Sequence, residues 1–171
     1  MARRVQERDE PVRLLFVCLG NICRSPTAEG AMRALVREAG LQQEVELDSA
    51  GTGSWHVGSE PDERATAAAA GRGIALEGTA RRVRAEDFDD FDLLLAMDLA
   101  NVDELRRMAP SETGRAKVRL LREFDAASAE TGDLDVPDPY YGDGDGFERV
   151  LVHVQAACAG LLERIRAGEL R

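Results

Sequence analysis

The fold is decided by the stretch Leu14-Leu15-Phe16-Val17-Cys18-Leu19-Gly20-Asn21-Ile22-Cys23-Arg24-Ser25-Pro26. Its first four residues form a continuous apolar run, which is typical of a strand buried in a parallel sheet. From Pro26 onward, apolar side chains recur at helical spacing as far as Val36, and Gly40 ends that segment. Ser25 is suited to cap this helix, with Pro26 as its first residue. The stretch therefore predicts a strand, a tight loop and a helix in direct succession.

The rest of the chain alternates strand and helix patterns. Strands are predicted over residues 45–50, 91–97 and 118–121, and helices over 62–70, 85–88, 99–108 and 147–165. Residues 125–145, rich in Gly, Asp and Pro, predict one long loop, and such loops are usually functional or disordered. The alternation favours an α/β fold, a single three-layer domain in which a parallel sheet has helices on both faces. We place this domain at residues 13–168, after a polar lead-in over residues 1–12.

The composition limits the class of partner and the compartment. The net charge of -10 opposes binding to nucleic acid and to anionic membranes, so we expect neither as a partner. Residues 1–12 contain charges of both signs and no apolar run, unlike a signal peptide. Three unevenly spaced cysteines suit a reducing compartment better than a disulfide framework. We therefore expect a cytoplasmic protein, and the lack of a CxxC motif or a histidine cluster predicts neither a metal nor another cofactor.

The loop after the first strand has the features of an anion-binding site. In an open parallel sheet, ligands bind at the carboxyl ends of the strands, where this loop lies. Its backbone N–H groups can form a nest for an anion, and the following helix adds its positive N-terminal end. Gly20 and Asn21 suit the left-handed backbone angles that such a nest needs. The residues expected to bind a phosphate group are Leu19, Gly20, Asn21, Ile22, Cys23, Arg24 and Ser25.

The two ends of this loop supply the expected chemistry. Arg24 follows Cys18 after five intervening residues and can hold a phosphate through two parallel hydrogen bonds. The positive surroundings favour the thiolate of Cys18, which is the nucleophilic form, and Ser25 is placed to donate its hydroxyl to that sulfur. A bare Cys-x5-Arg pattern also occurs by chance, with a core cysteine and a surface arginine. The flanking strand, the Gly-Asn turn and the Ser-Pro helix start favour a cysteine-dependent phosphatase instead.

A phosphatase that cleaves an oxygen ester also needs an acid to protonate the departing oxygen. The predicted long loop contains Asp138 between Pro137 and Pro139, which stiffen the backbone on both sides. The four aspartates nearest to Asp138 in this loop are competitors for the role: Asp133, Asp135, Asp143 and Asp145. Composition alone does not separate Asp138 from these four.

Three groups of motifs resemble the low-molecular-weight protein tyrosine phosphatases. They are residues 17–29, Asp48-Ser49-Ala50-Gly51-Thr52 with Trp55-His56, and Asp138-Pro139-Tyr140-Tyr141-Gly142. The resemblance extends from residue 13 to 165 and implies a four-stranded parallel sheet and hydrolysis of phosphotyrosine in proteins through a phosphocysteine intermediate. It implies Cys18 as nucleophile, Arg24 as phosphate clamp, and Asp138 as general acid and then general base. It also implies that Asn21 holds the loop shape with support from Ser49, without a metal.

Three aromatic residues on two loops are expected to line the mouth of the pocket. Trp55, Tyr140 and Tyr141 can grip a flat aryl phosphate and set its depth, although loop aromatics that serve no substrate are the ordinary alternative. The expected partners are a tyrosine-phosphorylated protein and, as inhibitors, phosphate and related oxyanions. Three arginines farther along the chain are expected only to form a solvated face: Arg81, Arg82 and Arg84.

Three other functions compete with this hypothesis. The resemblance suggests that protein arginine phosphatases of the same family carry threonine at the position of Ile22. Ile22 and the aromatic walls therefore favour phosphotyrosine. Arsenate reductases relay a disulfide through further cysteines, and residues 24–157 contain none. An inactive phosphate-binding protein is disfavoured because the nucleophile, the clamp and the acid are all present. Cys23 can either protect Cys18 through a reversible disulfide or simply fit the loop, and the sequence does not choose between these roles.

Overall fold

A computed structural model describes residues 10–142 and 145–170 of the chain. Within those residues the strands are β1 (Val12–Cys18), β2 (Val45–Gly51), β3 (Leu93–Ala96) and β4 (Val118–Leu120). All neighbouring pairs are parallel, and the strand order across the sheet is β2-β1-β3-β4. The prediction of a four-stranded parallel sheet in a single α/β domain is therefore confirmed.

The position of β1 creates the place where a ligand can bind. β1 pairs with β2 on one side, from Val12 opposite Val45 to Cys18 opposite Gly51. It pairs with β3 on its other side. Because the chain runs from β1 to both sides of the sheet, a crevice opens at the carboxyl end of β1, which is where ligands bind in such sheets. The loop that follows Cys18 lies at this crevice.

Helices cover both faces of the sheet. In the described residues they are α1 (Arg24–Glu38), α2 (Glu63–Ala70), α3 (Asp87–Asp90), α4 (Leu99–Met108), α5 (Glu112–Ala116), α6 (Ala126–Thr131) and α7 (Asp145–Arg166), with a 3-10 turn at Leu121–Phe124. Side chains alternate along β1, so Leu14 and Phe16 join the apolar cluster that contains residues of α1 and α7. Leu15 and Val17 point the other way and pack with residues of α3 and α4. The result is three layers, with helices on either side of the sheet.

The predicted start of α1 was wrong. The helix begins at Arg24 with Cys23 as its N-cap, so Ser25 is not the cap and Pro26 is not the first helical residue. The hydroxyl of Ser25 is instead used within the loop, where it contacts the sulfur of Cys18. Pro26 is tolerated because an N–H group in the first turn of a helix has no acceptor within that helix.

Two short helices were also not predicted. The predicted long loop over residues 125–145 contains α6, which ends at Gly132 in the left-handed conformation with φ of 80°. The helix α5 is capped by Ser111, whose Oγ accepts a hydrogen bond from Gly114 N at 3.1 Å. Both helices are too short to show a helical repeat in the sequence. Elsewhere the predicted and observed bounds differ by at most two residues.

The predicted polar lead-in over residues 1–12 lies outside the described residues as far as residue 9. β1 already begins at Val12, one residue before the predicted domain boundary. Across the part of the chain that the structure describes, we find no helix with the length and apolar character needed to cross a membrane.

The helix α7 packs tightly against the 3-10 turn. A Cβ atom at Gly160 would overlap with the carbonyl oxygen of Phe124, which belongs to the backbone and cannot rotate away. We therefore expect Gly160→Ala to lower the free energy of unfolding by about 1–3 kcal/mol, in spite of the higher helix propensity of alanine. Urea denaturation measures the loss. Gly71→Ala, where a Cβ has 3.4 Å to its nearest neighbour, is the control, and an unchanged midpoint for Gly160→Ala would contradict the tight packing.

Candidate active site

The carboxyl ends of the central strands open into a cavity of about 370 Å³. The loop between β1 and α1 contributes Cys18, Leu19, Gly20, Ile22, Cys23 and Arg24 to its lining. The loop after β2 contributes Trp55 and His56, and the segment before α7 contributes Asp138, Tyr140 and Tyr141. We call residues 18–25 the phosphate loop and residues 136–142 the acid loop. The structure thus brings together two loops that are more than a hundred residues apart in the sequence.

Asn21 holds the phosphate loop in an uncommon backbone shape. Its φ is 56°, the only positive φ of a non-glycine residue in the described part of the chain, and such a conformation persists only where neighbours hold it. Its Nδ2 donates to Ser25 Oγ at 2.8 Å and to Ser49 Oγ at 3.0 Å. Its Oδ1 accepts from the backbone N–H of Arg81 at 3.0 Å. These three bonds fix the left-handed turn and join it to β2.

Two hydrogen-bond donors reach the sulfur of Cys18. The backbone N–H of Asn21 donates to Sγ at 3.3 Å, and Ser25 Oγ lies 3.0 Å from Sγ. Because Ser25 Oγ already accepts a bond from the Asn21 side chain, its own hydrogen is available to the sulfur. This arrangement can stabilise negative charge on the sulfur when it acts as a leaving group.

Arg24 lies at the base of the cavity with one edge of its guanidinium group already held. Its Nη1 donates to Asp98 Oδ2 at 2.6 Å and to the carbonyl oxygen of Val136 at 3.1 Å. Its Nη2 forms a looser ion pair with Asp138 Oδ2 at 3.6 Å. Burial alone would lower the pKa of this guanidinium, but the charges of Cys18 and Asp98 outweigh burial and raise the pKa above its usual value. Arg24 is therefore a fixed positive charge beneath the cavity.

Asp138 differs from its four competitors in its position. Among the competing carboxylates that the structure describes, only that of Asp138 lines the cavity. Its Oδ1 accepts from the backbone N–H of Tyr140 at 3.1 Å, and its Oδ2 faces Arg24. Asp135 instead accepts from Leu99 N, and Asp133 pairs with Arg122. Of the other two, Asp145 opens α7 and Asp143 lies outside the described residues.

A family model described as low molecular weight phosphotyrosine protein phosphatase matches residues 13–170. The chain belongs to the low molecular weight phosphotyrosine protein phosphatase family. A relative from Streptomyces coelicolor, named low molecular weight protein-tyrosine-phosphatase, is 53% identical over 154 residues, which are 90% of this chain and 93% of the relative.

Solved structures agree with the family assignment. The crystal structure of a protein tyrosine phosphatase from Entamoeba histolytica, with Hepes in its active site, matches with a TM-score of 0.87 at 38% identity. The match covers 93% of this chain and 99% of that protein. The crystal structure of a Drosophila arginine phosphatase matches with a TM-score of 0.82 at 35% identity and covers 90% of this chain and 97% of that protein.

In this member of the low molecular weight phosphatase family, the cavity lining includes the side chains of Trp55, Tyr140 and Tyr141. The Trp55 and Tyr141 side chains stand largely in solvent, with 74% and 93% of their surface exposed. Tyr140 is half-buried, and its ring meets that of Tyr141 edge-on at 4.8 Å between centroids. His56 is a further wall residue, with its ring 5.9 Å from that of Tyr140. The mouth of the cavity is therefore lined by four aromatic side chains.

Sequence reasoning missed the second role of Asp98. Asp98 caps α4, because its Oδ1 accepts from Asn101 N at 2.8 Å. Its other carboxylate oxygen binds Arg24. The signal was present in the sequence, because a carboxylate that directly follows a strand lies at the same edge of a parallel sheet as the phosphate loop.

The prediction of a solvated face was wrong for Arg81. Its guanidinium group donates to Asp48 at 3.0 Å and to the buried Asp87 at 2.9 Å. Burial alone would lower the pKa of Arg81, but its bonds to Asp87 and Asp48 raise it above the usual value. Because its backbone N–H also binds Asn21, Arg81 connects the phosphate loop to two acidic residues. Arg82 is exposed, and its Nε donates to the carbonyl oxygen of Thr52.

The other two cysteines lie in environments that keep them protonated. Burial, with a smaller contribution from the charge of Asp62, raises the pKa of Cys23 to about 12. Burial also raises the pKa of Cys158 to about 12. Cys158 lies in the apolar cluster between α1 and α7.

Proposed function

We propose that the chain is a protein tyrosine phosphatase that hydrolyses phosphotyrosine through a phosphocysteine intermediate on Cys18. The observation that supports this best is that Cys18, Arg24 and Asp138 meet at one cavity with aromatic walls. A nucleophile, a fixed cation and a carboxyl group are the three parts that transfer of a phosphoryl group to sulfur requires.

Substrate binding uses the phosphate loop and the free edge of Arg24. Nη1 stays on Asp98 and Val136, so the guanidinium keeps its orientation, and the phosphate replaces Asp138 as the partner of Nη2. Backbone N–H groups of the phosphate loop and the N-terminus of α1 receive the remaining oxygens. Binding of the phosphate thereby releases the Asp138 carboxylate from its ion pair with Arg24, and the released carboxylate takes up from solvent the proton that it donates in the first chemical step.

Two chemical steps follow. Cys18 Sγ attacks phosphorus and the bond to the tyrosine oxygen breaks, while Asp138 donates its proton to that oxygen. In the second step Asp138 takes a proton from water, the water oxygen attacks phosphorus, and the phosphorus–sulfur bond breaks. The hydroxyl of Ser25, 3.0 Å from the sulfur, then stabilises the departing thiolate.

The walls of the cavity support a preference for aryl esters. Ile22, Trp55 and Tyr140 offer apolar or aromatic surface to a substrate ring above the phosphate. A phosphoserine side chain is shorter and has no ring to fill this space, so its phosphorus would reach Cys18 only at the cost of those contacts.

Phosphoarginine is the second candidate substrate because a Drosophila arginine phosphatase has a similar fold. The apolar Ile22 at the cavity disfavours the cationic guanidinium of phosphoarginine. Arsenate reduction is disfavoured because its relay would need Cys158, which is fully buried with its sulfur 3.8 Å from the carbonyl oxygen of Ala28.

A comparison of three peptides with one sequence tests this proposal. The peptides carry phosphotyrosine, phosphoserine or phosphoarginine, and kcat/KM is measured with a chelator present. We expect phosphotyrosine to exceed both others by about 100-fold or more, since an unfilled or mismatched pocket loses several contacts at once. A preference for phosphoserine would refute the role of the aromatic walls, and a preference for phosphoarginine would establish the second candidate.

We also propose a partner, a compartment and a domain extent for this activity. The partner is a tyrosine-phosphorylated protein, and phosphate and related oxyanions act as competitive inhibitors at the same loop. A cytoplasmic location is supported by three cysteines that are all free thiols. A catalytic domain over residues 13–168 is supported by the extent of the family match.

A further inference from the structure

The N-terminus of α2 lies against the phosphate loop. The backbone N–H of Asp62 donates to the carbonyl oxygen of Ile22 at 2.8 Å. The side chain of Asp62 caps α2, because its Oδ1 accepts from the backbone N–H of Arg64 at 2.8 Å. The first turn of α2 is therefore held in place by the phosphate loop, with Arg64 two residues from the point of contact.

Asp62 also fixes the side chain of Arg64. Nε of Arg64 donates to Oδ1 at 3.1 Å and Nη2 donates to Oδ2 at 3.0 Å, so the pair is bidentate. These bonds from Arg64 hold the pKa of the Asp62 carboxyl below its usual range. The guanidinium group thus has one defined orientation, although half of the side chain is exposed.

The free edge of the Arg64 guanidinium reaches the acid loop. Nη1 donates to the carbonyl oxygen of Tyr140 at 3.2 Å. The Cζ atom of Arg64 lies 5.5 Å from the centroid of the Tyr140 ring and 4.7 Å from that of Phe147, within the range of cation–π attraction. Arg64 therefore holds Tyr140 through both its backbone and its ring.

Tyr140 is also the residue that orients the acid. Its backbone N–H donates to Asp138 Oδ1, whereas its carbonyl oxygen accepts from Arg64. At its other end, the acid loop is tied to the sheet, because Val136 N donates to the carbonyl oxygen of Met97 at 2.7 Å and Val136 O accepts from Arg24. The backbone is thus held on both sides of Asp138, at Val136 by the sheet and Arg24 and at Tyr140 by Arg64.

We propose that Asp62 and Arg64 are positioning residues that fix the distance between the acid loop and the phosphate loop. They do this by fixing Tyr140, so that the Asp138 carboxyl group reaches the oxygen of the leaving group. A partly exposed ion pair such as this one contributes little to stability, but a small displacement of a catalytic group has a large effect on rate. The inference rests on the proposed function, since it assigns the pair a purpose in the acid-assisted step.

Substrates that need the acid to different degrees test this inference. Phenyl phosphate has a poor leaving group and depends on protonation, whereas 4-nitrophenyl phosphate has a good one and needs little help. We expect Arg64→Gln to lower kcat/KM about 10-fold for phenyl phosphate and less than about 2-fold for 4-nitrophenyl phosphate. Arg64→Lys should recover part of the loss, because it keeps the charge but not the bidentate geometry. Equal losses on both substrates would overturn the positioning role.

Arg72→Gln is the matched control. Arg72 lies two residues after the end of α2 and is also partly exposed. It binds Glu148 and Gln155 of α7 through three hydrogen bonds. These bonds go to α7 and not to Tyr140 of the acid loop, so its replacement should leave the ratio of kcat/KM for the two substrates unchanged. A change in that ratio as large as that of Arg64→Gln would show that any contact between α2 and α7 has the same effect, which contradicts a specific role for Arg64.

An Asp138→Asn background separates failure of this inference from failure of the proposed function. In that background Arg64→Gln should cost no further kcat/KM on phenyl phosphate, because the acid it positions is gone. A further 10-fold loss there would show that Arg64 acts on something other than Asp138. If Asp138→Asn alone affects both substrates equally, the acid assignment in the proposed function is wrong, and the positioning role is refuted with it.

Discussion

Cys18→Ser should reduce turnover of a phosphotyrosine peptide by at least about four orders of magnitude while oxyanion binding persists. A serine hydroxyl at this position is a far weaker nucleophile than a thiolate, and nothing in the loop is placed to take its proton. The phosphate loop itself should survive, because Asn21 is held by Ser25, Ser49 and Arg81 and not by the sulfur alone. Steady-state kinetics measure the first effect, and calorimetric titration with inorganic phosphate measures the second.

Cys158→Ala is the control for the loss of a thiol. Cys158 is buried between α1 and α7, away from the cavity, so its replacement should lower the free energy of unfolding and leave kcat near that of the unsubstituted protein. Substantial turnover by Cys18→Ser would refute the nucleophile. Loss of phosphate binding by Cys18→Ser would show that the sulfur is needed to shape the loop.

Asp138→Asn should slow hydrolysis to an extent that depends on the leaving group. The amide keeps the oxygen that accepts from Tyr140 N, but it has no acidic proton to give to the departing oxygen. We expect kcat/KM to fall by about 100-fold or more for phenyl phosphate and much less for 4-nitrophenyl phosphate. Measurement over a series of substituted phenyl phosphates gives this dependence as a slope against the pKa of the leaving group.

Asp135→Asn is the matched control for Asp138→Asn. Asp135 lies three residues away in the sequence, and its carboxylate accepts from Leu99 N instead of facing the cavity. Its replacement should leave the slope unchanged. A uniform loss across the series for Asp138→Asn, or a steeper slope for Asp135→Asn, would move the acid away from Asp138.

The parts of the fold that could be predicted are those written locally in the sequence. The apolar run over Leu14–Val17 and the helical repeat after Pro26 each identify an element without reference to the rest of the chain. The start of α1 could not be predicted in the same way. Ser25 has the side chain of an N-cap, but tertiary structure uses its hydroxyl at Cys18, and no local rule reveals that competition.

The same distinction applies to the candidate site: residues that are close in the sequence could be predicted, and residues that only the fold brings together could not. The phosphate loop is contiguous, so Cys18 and Arg24 could be proposed from spacing alone. The assignment of Asp138 as the acid needed a family resemblance. The five aspartates between residues 133 and 145 cannot be distinguished until their partners in space are known. Arg81 was misjudged for the same reason. Its two carboxylate partners lie on β2 and α3, which the sequence does not show to be neighbours.

The bond from Arg24 to Val136 has a consequence for how the protein is made. It joins groups 112 positions apart in the chain. At a synthesis rate of roughly 5–20 residues per second, the ribosome adds Val136 about 6–22 s after Arg24. The cysteine and arginine of a growing chain therefore emerge well before the segment that holds the arginine in place and supplies the acid. Hydrolytic competence is accordingly acquired late in translation, after nearly the whole domain has been synthesised.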